Sequence, residues 1–344
     1  MLTSQLCLIW ITLVTSALSW NLTSFAPQHT SVGQVAVWRN RAFICLPRYE
    51  IGTVTATLVQ APWAENVISS QQTILQPLES PYMTSPRVYP RNNPAFQKEG
   101  YCPHLQNVTA LDIDSMRGRL WVLDAGTKSC SPKVVVIDLR MNEEISKMEL
   151  KNATSGALSS IAADPVAGVW GSRAYVADPS TSSLLVVDLH GWWRVGLDVK
   201  NPDDGLVHPV RAATLALSRR EPVLYLTAPD SDRLYSLDVS AIRASPQPTT
   251  NEIRRQSVTF VGLKLGPSRG LVVDLWAGLH YFLPRDHASV RWDTKRPMSA
   301  ESHSVLLQSS KILPFVSHMF LDSQWQVWAV VGQHCVKIQK YSFL

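Results

Sequence analysis

Apolar residues along the chain come in short runs of four to seven, each closed by Gly, Asp, Ser or Pro. Val, Leu, Ile and aromatics fill the runs, the side chains that suit a pleated, half-buried surface, and the closing residues are those of turns. No window keeps a 3.6-residue apolar period, so little helix is expected. The runs recur as a three-part phrase: Thr109–Asp114, Arg119–Asp124 and Val134–Leu139. It returns as Ser160–Asp164, Arg173–Asp178 and Leu184–Leu189, then as Ala213–Ser218, Val223–Ala228 and Leu234–Val239. Gly270–Asp274, Gly278–Leu283 and Ser289–Asp293 form a further copy, and Ser317–Asp322, Gln326–Val331 and Cys335–Ile338 another. A degenerate copy comes first, at Gln34–Trp38, Arg41–Leu46 and Val54–Val59.

One aromatic of the second run serves as a ruler: Phe43, Trp121, Tyr175, Tyr225, Tyr281 and Trp328 lie 78, 54, 50, 56 and 47 residues apart. Apart from the first, Pro-rich gap, this is the period of propeller blades with their loops. A sheet of three or four strands cannot bury both its faces alone, whereas radial stacking buries them and leaves only short edges. The expectation is an all-β, six-bladed β-propeller, one domain over residues 20–344, with a pair of β-sandwiches as the other architecture.

Composition agrees with a packed fold. Of 344 residues, 45% are hydrophobic and 17% charged, which excludes a disordered chain, and no short period suggests a collagen or coiled coil. The net charge of +5 is spread along the chain, with Arg219-Arg220 and Arg254-Arg255 as the densest basic doublets. That scatter is unlike a nucleic-acid face, so no nucleic-acid partner is expected.

Leu6–Leu18 carries no charge, and Ala17 and Ser19 stand before Trp20. Residues 1–19 therefore read as a secretory signal peptide, and a thirteen-residue apolar run is too short to span a bilayer. The expected product is secreted and extracellular, with no membrane partner. Cys7 would leave with the leader, and Cys45, Cys102, Cys130 and Cys335 would face an oxidising compartment, with three possible pairings. If the first copy neighbours the last, Cys45–Cys335 would join the chain ends and Cys102–Cys130 would pair within the second copy. The spacing is not that of a zinc site. Asn21, Asn107 and Asn152 head glycosylation sequons.

These phrases carry a resemblance. Cys102, Leu111–Asp114, Gly118–Gly126 and Cys130–Leu139 closely resemble the signature of the insect yellow and major royal jelly protein family. Similar phrases follow at Ala174–Asp178, Leu185–Asp188, Asp204–Leu206, Leu224–Leu226, Gly266–Ser268 and Phe315–Ser317, and Leu46–Tyr49 is similar to the family's early Phe-Pro-Arg-Trp. The likeness runs from about residue 35 to about residue 340. It implies a secreted six-bladed propeller. It also implies roles in pigmentation, dopachrome conversion, biogenic-amine binding, or cuticle, eggshell and royal jelly, with no catalytic set shared by all members. The chain departs from the pattern at Met116 and at Val290–Trp292, where the family often has Cys. It departs again at Trp328–Gly332, where the family ends in an Asn that helps hold amines in amine-binding relatives.

A propeller offers its chemistry where the inner strands meet the central channel. The leading ends of the first runs carry Asn107, Thr109, Ser159, Ser160, Arg211, Ser268, Arg269, Ser317 and His318. Asn107, Thr109, Ser160, Ser268 and Ser317 are candidates to bind a small aromatic amine or catechol-derived ligand; the plainer reading is that they bond nearby backbone. His318 is the candidate acid/base for an aminochrome tautomerase, with Arg211 or Arg269 holding the developing enolate. Gly266–Gly270 fits GxSxG, but a strand rather than a helix follows it. The histidines lack metal-ligand spacing, so no metal or cofactor is expected. Recurrent Asp at run ends reads as turn capping, with a calcium-dependent lactonase as a minor reading. Two functions stand against each other. One is a binding or structural protein of an extracellular matrix such as eggshell or cuticle. The other is a dopachrome-converting enzyme. The first is favoured, because no nucleophile, metal set or paired acid and base emerges.

Overall fold

The second run of each phrase is almost wholly apolar, and in the structure it becomes the buried middle strand of a sheet. A computed structural model describes residues 17–20, 22, 32–48, 54–63, 87–89, 97–168, 171–200, 205–228, 230–244 and 253–338. The first sheet holds β2 (Val35–Trp38), β3 (Arg41–Cys45), β4 (Leu58–Pro62) and β5 (Arg87–Val88). The second holds β6 (Val108–Asp114), β7 (Arg119–Asp124), β8 (Lys133–Asp138) and β9 (Glu143–Glu149).

A nine-stranded sheet follows. Its first meander is β10 (Ile161–Gly168), β11 (Gly171–Asp178), β12 (Ser183–Asp188) and β13 (Trp192–Lys200), with β14 (Val207–Pro209) beside β13. Its second is β15 (Thr214–Leu217), β16 (Val223–Thr227), β17 (Arg233–Asp238) and β18 (Arg254–Leu263). The two meanders join through a parallel pairing of β13 with β18. A short helix, α1 (Ser240–Ala244), follows β17. The next sheet is β19 (Arg269–Val273), β20 (Gly278–Leu283), β21 (Ala288–Asp293) and β22 (His303–Gln308). The last is β23 (His318–Leu321), β24 (Val327–Val331), β25 (His334–Lys337) and, on its outer side, β1 (Ala17–Ser19).

The first strand of each meander lies beside the first strand of the next: β2 by β6, β6 by β10, β10 by β15, β15 by β19, β19 by β23 and β23 by β2. The circuit closes. Strand periodicity of two then divides each middle strand between two interfaces. On β3, Ala42 and Ile44 pack toward the last sheet, while Phe43 and Cys45 pack toward the second. Trp121 and Tyr175 likewise face the next meander, and Trp328 faces the first sheet. Tyr281 breaks the ruler: it packs back against Tyr225, Leu234 and Trp292, and Phe282 faces the last sheet instead. The aligned aromatic of that copy is Phe282, one residue on.

The same parity corrects one expected disulfide. Cys102 and Cys130 are bonded. Cys45 and Cys335 are buried free thiols. Cys335 packs in the core shared by the last and first sheets, but Cys45 points through to the second sheet, so the first sheet itself stands between them. The Cys45 Sγ instead meets the Gln34 backbone, 3.0 Å from its N and 3.3 Å from its O. Ring closure rests on packing, with Trp63 at 4.9 Å from Trp328, 5.8 Å from Phe320 and 6.3 Å from Trp20.

Strand β1 belongs to the expected leader, whose residues 1–16 lie outside the described ones. Cleavage after Ser19 would remove β1 and leave β25 as the edge, with Trp20 retained in the core. No helix among the described residues is long and apolar enough to cross a membrane.

Candidate functional site

The six first strands line one narrow cavity of about 80 Å³ along the axis of the ring. Its walls are mostly small or aliphatic, from Val35, Ala36, Leu111, Ala162, Ala216 and Val272. An inner strand needs such residues, because six of them converge on one axis.

Asp112 stands out among them, a carboxylate in the middle of β6. One oxygen accepts the backbone N–H of Ile113 at 2.7 Å and the other that of Ala163 at 2.7 Å. Arg219, in the turn after β15, reaches back to it with Nη2 at 3.2 Å, and its Nη1 donates to the Ala163 carbonyl at 3.0 Å. The pair therefore ties β6, β10 and the β15 turn together across the cavity. Both side chains are about four-fifths buried, at 18% and 24% exposure, so each charge depends on the other. Trp325, held at φ 63°, lines the same cavity. A bulky residue in the left-handed region is unusual.

His318 also lines the cavity, its ring stacked on Phe320 at 6.3 Å and 8°. The surface it exposes faces the narrow cavity rather than bulk water. Burial pushes its pKa down to about 4, so at neutral pH it is an uncharged imidazole. Arg269 and Arg211 are both exposed, and Arg269 lies over the Phe315 ring at 5.1 Å. Arg269 and His318 stand on adjacent strands, while Arg211 precedes β15. Among the described residues no hydrogen bond or ion pair joins the three.

The expected rim hydroxyls bond from one meander to the next. Thr109 Oγ1 donates to the Leu158 carbonyl at 2.9 Å, and Ser159 Oγ to that of Ala213 at 3.2 Å. Ser160 Oγ accepts the Leu215 N–H at 3.1 Å, and Ser317 Oγ donates to the Val32 carbonyl at 2.9 Å. Asn107 Oδ1 accepts the Arg48 N–H at 2.8 Å. Ser268 is buried and accepts from Lys264 Nζ at 2.8 Å, and β19 follows it where a nucleophile elbow would need a helix.

The run-end aspartates cap turns and also reach the middle strand. Asp274 accepts from the Trp276 and Gly278 N–H groups, and its other oxygen meets His280 Nε2 at 2.9 Å and Arg291 Nε at 2.7 Å. Burial alone would raise its pKa, but those partners outweigh it and hold the carboxyl well below the usual range. Asp164 likewise accepts from Tyr175 Oη at 2.8 Å and from Arg243 Nε at 2.9 Å.

Neither Asp112 nor Arg219 was a site candidate from sequence. Asp112 reads as one more run-end aspartate beside Asp114, and Arg219 as half of a surface doublet. The available signal was position, since Asp112 is an ionisable residue in the middle of a first run.

A model of the major royal jelly protein family matches residues 106–342, more than half of the chain. The chain belongs to the major royal jelly protein family. A search of curated proteins found no match. The family is one of β-propellers, and the match takes in every cavity-lining strand except β2. The expected Cys102–Cys130 disulfide is present, with Cys130 inside the matched region and Cys102 just ahead of it.

Proposed function

We propose that this chain is a secreted, six-bladed β-propeller of the yellow type. On this reading it acts as a binding or structural protein of an extracellular matrix, such as eggshell or cuticle, and turns over no substrate. The blade count takes the nine-stranded sheet as two blades that share the β13–β18 pairing, and the closed circuit of first strands supports it. The uncharged leader run and the Cys102–Cys130 bond support export to an oxidising compartment.

The cavity carries the argument against turnover. At about 80 Å³ it is far below the roughly 300–1,000 Å³ of pockets that enclose a small-molecule ligand. A small aromatic amine or catechol-derived ligand, the class expected for the channel mouth, would meet in the Asp112–Arg219 pair two charges that are already matched.

One observation favours the second reading, dopachrome conversion: the uncharged imidazole of His318 lines the axial cavity, although the burial that holds its pKa near 4 also makes it a weak base. Purified protein incubated with dopachrome, followed by loss of its visible absorbance, separates the two. The expected rate equals that of buffer. Faster loss that disappears in His318→Ala would establish the enzyme instead. For the matrix role, the protein is expected in the insoluble fraction of eggshell or cuticle; recovery only in soluble fluid would count against it.

A further inference from the structure

A larger hollow lies away from the axis, on the outer part of the nine-stranded sheet. Its volume is about 410 Å³, within the range of ligand pockets. The β11–β12 hairpin lines it with Ser180, Thr181, Ser182 and Ser183. Ser180 Oγ donates to Asp178, and Thr181 and Ser183 bond to each other and accept from Arg194. Among the described residues the Ser182 hydroxyl makes no hydrogen bond. Arg194 on β13 and Arg255 on β18 stand over them, and Pro209 and the exposed Ile253 form an apolar side.

Charge decides which ligands fit. Arg194 Nη1 bonds to Asp178 Oδ2 at 2.6 Å, and Arg255 Nη1 bonds to both Asp198 oxygens at 2.6 and 2.7 Å. Both guanidinium charges are matched, so an anion finds no unpaired cation there. Hydroxyls beside a small apolar face suit a neutral, polyhydroxylated molecule, whose C–H faces and hydroxyls alternate.

Such a molecule has a covalent point of attachment at the rim. Asn152, first residue of the Asn-Ala-Thr sequon, lines this same hollow. It sits in a left-handed turn at φ 66°, and among the described residues its carboxamide makes no hydrogen bond. Thr154 Oγ1 of the sequon lies 3.3 Å from Ser180 Oγ, so the turn is fastened to the hairpin that floors the hollow. Asn107 contrasts with it: its carboxamide oxygen is fixed by the Arg48 N–H, and its own N–H is held by Asp124 Oδ1 at 2.8 Å. Asn21 lies outside the described residues.

We infer that Asn152, rather than Asn107, carries an N-linked glycan, and that the first sugars of that glycan lie in the hollow formed by Ser180–Ser183, Arg194, Pro209, Ile253 and Arg255. The inference rests on the export argued above. The donor is a lipid-diphosphate-linked oligosaccharide. A bond forms between the sugar C1 and Asn152 Nδ2, the C1–O bond to the diphosphate breaks, and the amide proton leaves with the lipid diphosphate. Attachment at the rim gives the sugars a high local concentration, so weak contacts suffice to seat them.

The test expresses the full chain in secreting insect cells and maps glycopeptides by mass spectrometry. A second chain carries a heterologous leader in place of residues 1–19. If only that second chain is exported, the native leader fails and the export reading falls, while the glycan is still tested. Asn152 is expected to be modified and Asn107 bare. Removal of the glycan by peptide-N-glycosidase is expected to run about tenfold slower on the folded than on the unfolded chain, as for a group shielded most of the time. Ile253→Trp, at an exposed position, fills the hollow and should restore the unfolded rate. An unmodified Asn152 in the exported chain overturns the inference. So does equal removal from folded and unfolded chain, or no effect of Ile253→Trp on a slow folded rate.

Discussion

A histidine shut away from bulk water resists its proton, and the fold then feels the pH. His318 has a folded pKa near 4, against about 6.5 in an unfolded chain. Between those values the unfolded chain binds the extra proton, so stability falls as pH drops from 6.5 toward 4 and is fully present above 6.5. The expected loss from this residue is about 2–3 kcal/mol, after allowing for its partial contact with the cavity. Thermal melts of wild type and His318→Phe across this window check it: the variant should show the shallower slope, and parallel slopes would remove His318 from the account. Lys264 gives the same sign in the alkaline range. Its ammonium is buried and bonds to Thr227 Oγ1 at 2.6 Å, the Ser231 carbonyl at 2.8 Å and Ser268 Oγ, and among the described residues no carboxylate forms an ion pair with it. Burial, partly offset by Asp232, lowers its pKa to about 8. Stability should therefore rise as pH climbs from 8 to the unfolded value near 10.5. The second sheet places Asp124 at the position of Thr227, 2.9 Å from Lys133 Nζ. Thr227→Asp should raise the Lys264 pKa and flatten the alkaline slope, measured by denaturant titrations at pH 7, 8.5 and 10. At this scale the sequence was a partial guide. It showed which serines and threonines lead the first runs, but a hydroxyl that binds a ligand and one that ties two meanders look alike until its partner is seen. Ser160 and Ser317 are of the second kind here.

Elements were more legible the more they were buried. The first three strands of most meanders follow apolar runs closely, because each packs against neighbours on both faces. Fourth strands left a weaker trace, except β13 with its buried Trp193, Val195 and Leu197. Strand β9 reads Glu-Glu-Ile-Ser-Lys-Met-Glu, and β18 is exposed along most of its length. An outer strand faces water, and its pairing comes from backbone hydrogen bonds that any side chain permits. In the first sheet, an apolar run at Val54–Val59 placed the third strand too early, and β4 begins at Leu58. The hairpins between first and second strands were foreseen as Asp-capped turns. Their handedness was not: Arg39, Ala277 and Trp325 all hold positive φ where Gly118 stands in the second sheet. Ala277, at φ 58°, is the clean test. Ala277→Gly should raise stability by about 1 kcal/mol, since a left-handed alanine costs roughly that. A chemical denaturation midpoint measures it, and an unchanged or lower midpoint would mean the alanine's packing outweighs its strain. Trp325 at φ 63° carries the same strain beside the cavity.

For the whole molecule, the circuit of strands makes the last interface different in kind from the rest. Five interfaces join neighbours in sequence, and their cores form from contacts between consecutive phrases. The sixth joins the last sheet to the first, with the full length of the chain between. The repeat made that meeting legible, and the even cysteine count suggested a covalent closure, but a copy number cannot tell which face of β3 a residue takes. Cys45 takes the wrong one for Cys335. The closure is aromatic instead: Trp20, Trp63, Phe320 and Trp328 pack between the two ends, and all four are at least nine-tenths buried. Trp63 touches the other three, so Trp63→Ala should cost about 3–5 kcal/mol, the range for emptying a buried aromatic site. A comparable cavity inside one sheet pair would weaken a contact that its neighbours in sequence still hold together. Here it also releases both chain ends at once. Hydrogen exchange should show this as loss of protection at β2, β3, β24 and β25 together, with β11 and β12 on the far side of the ring keeping theirs at low denaturant. Uniform loss of protection around the ring would mean that it opens only as a unit, and that no single interface acts as its latch.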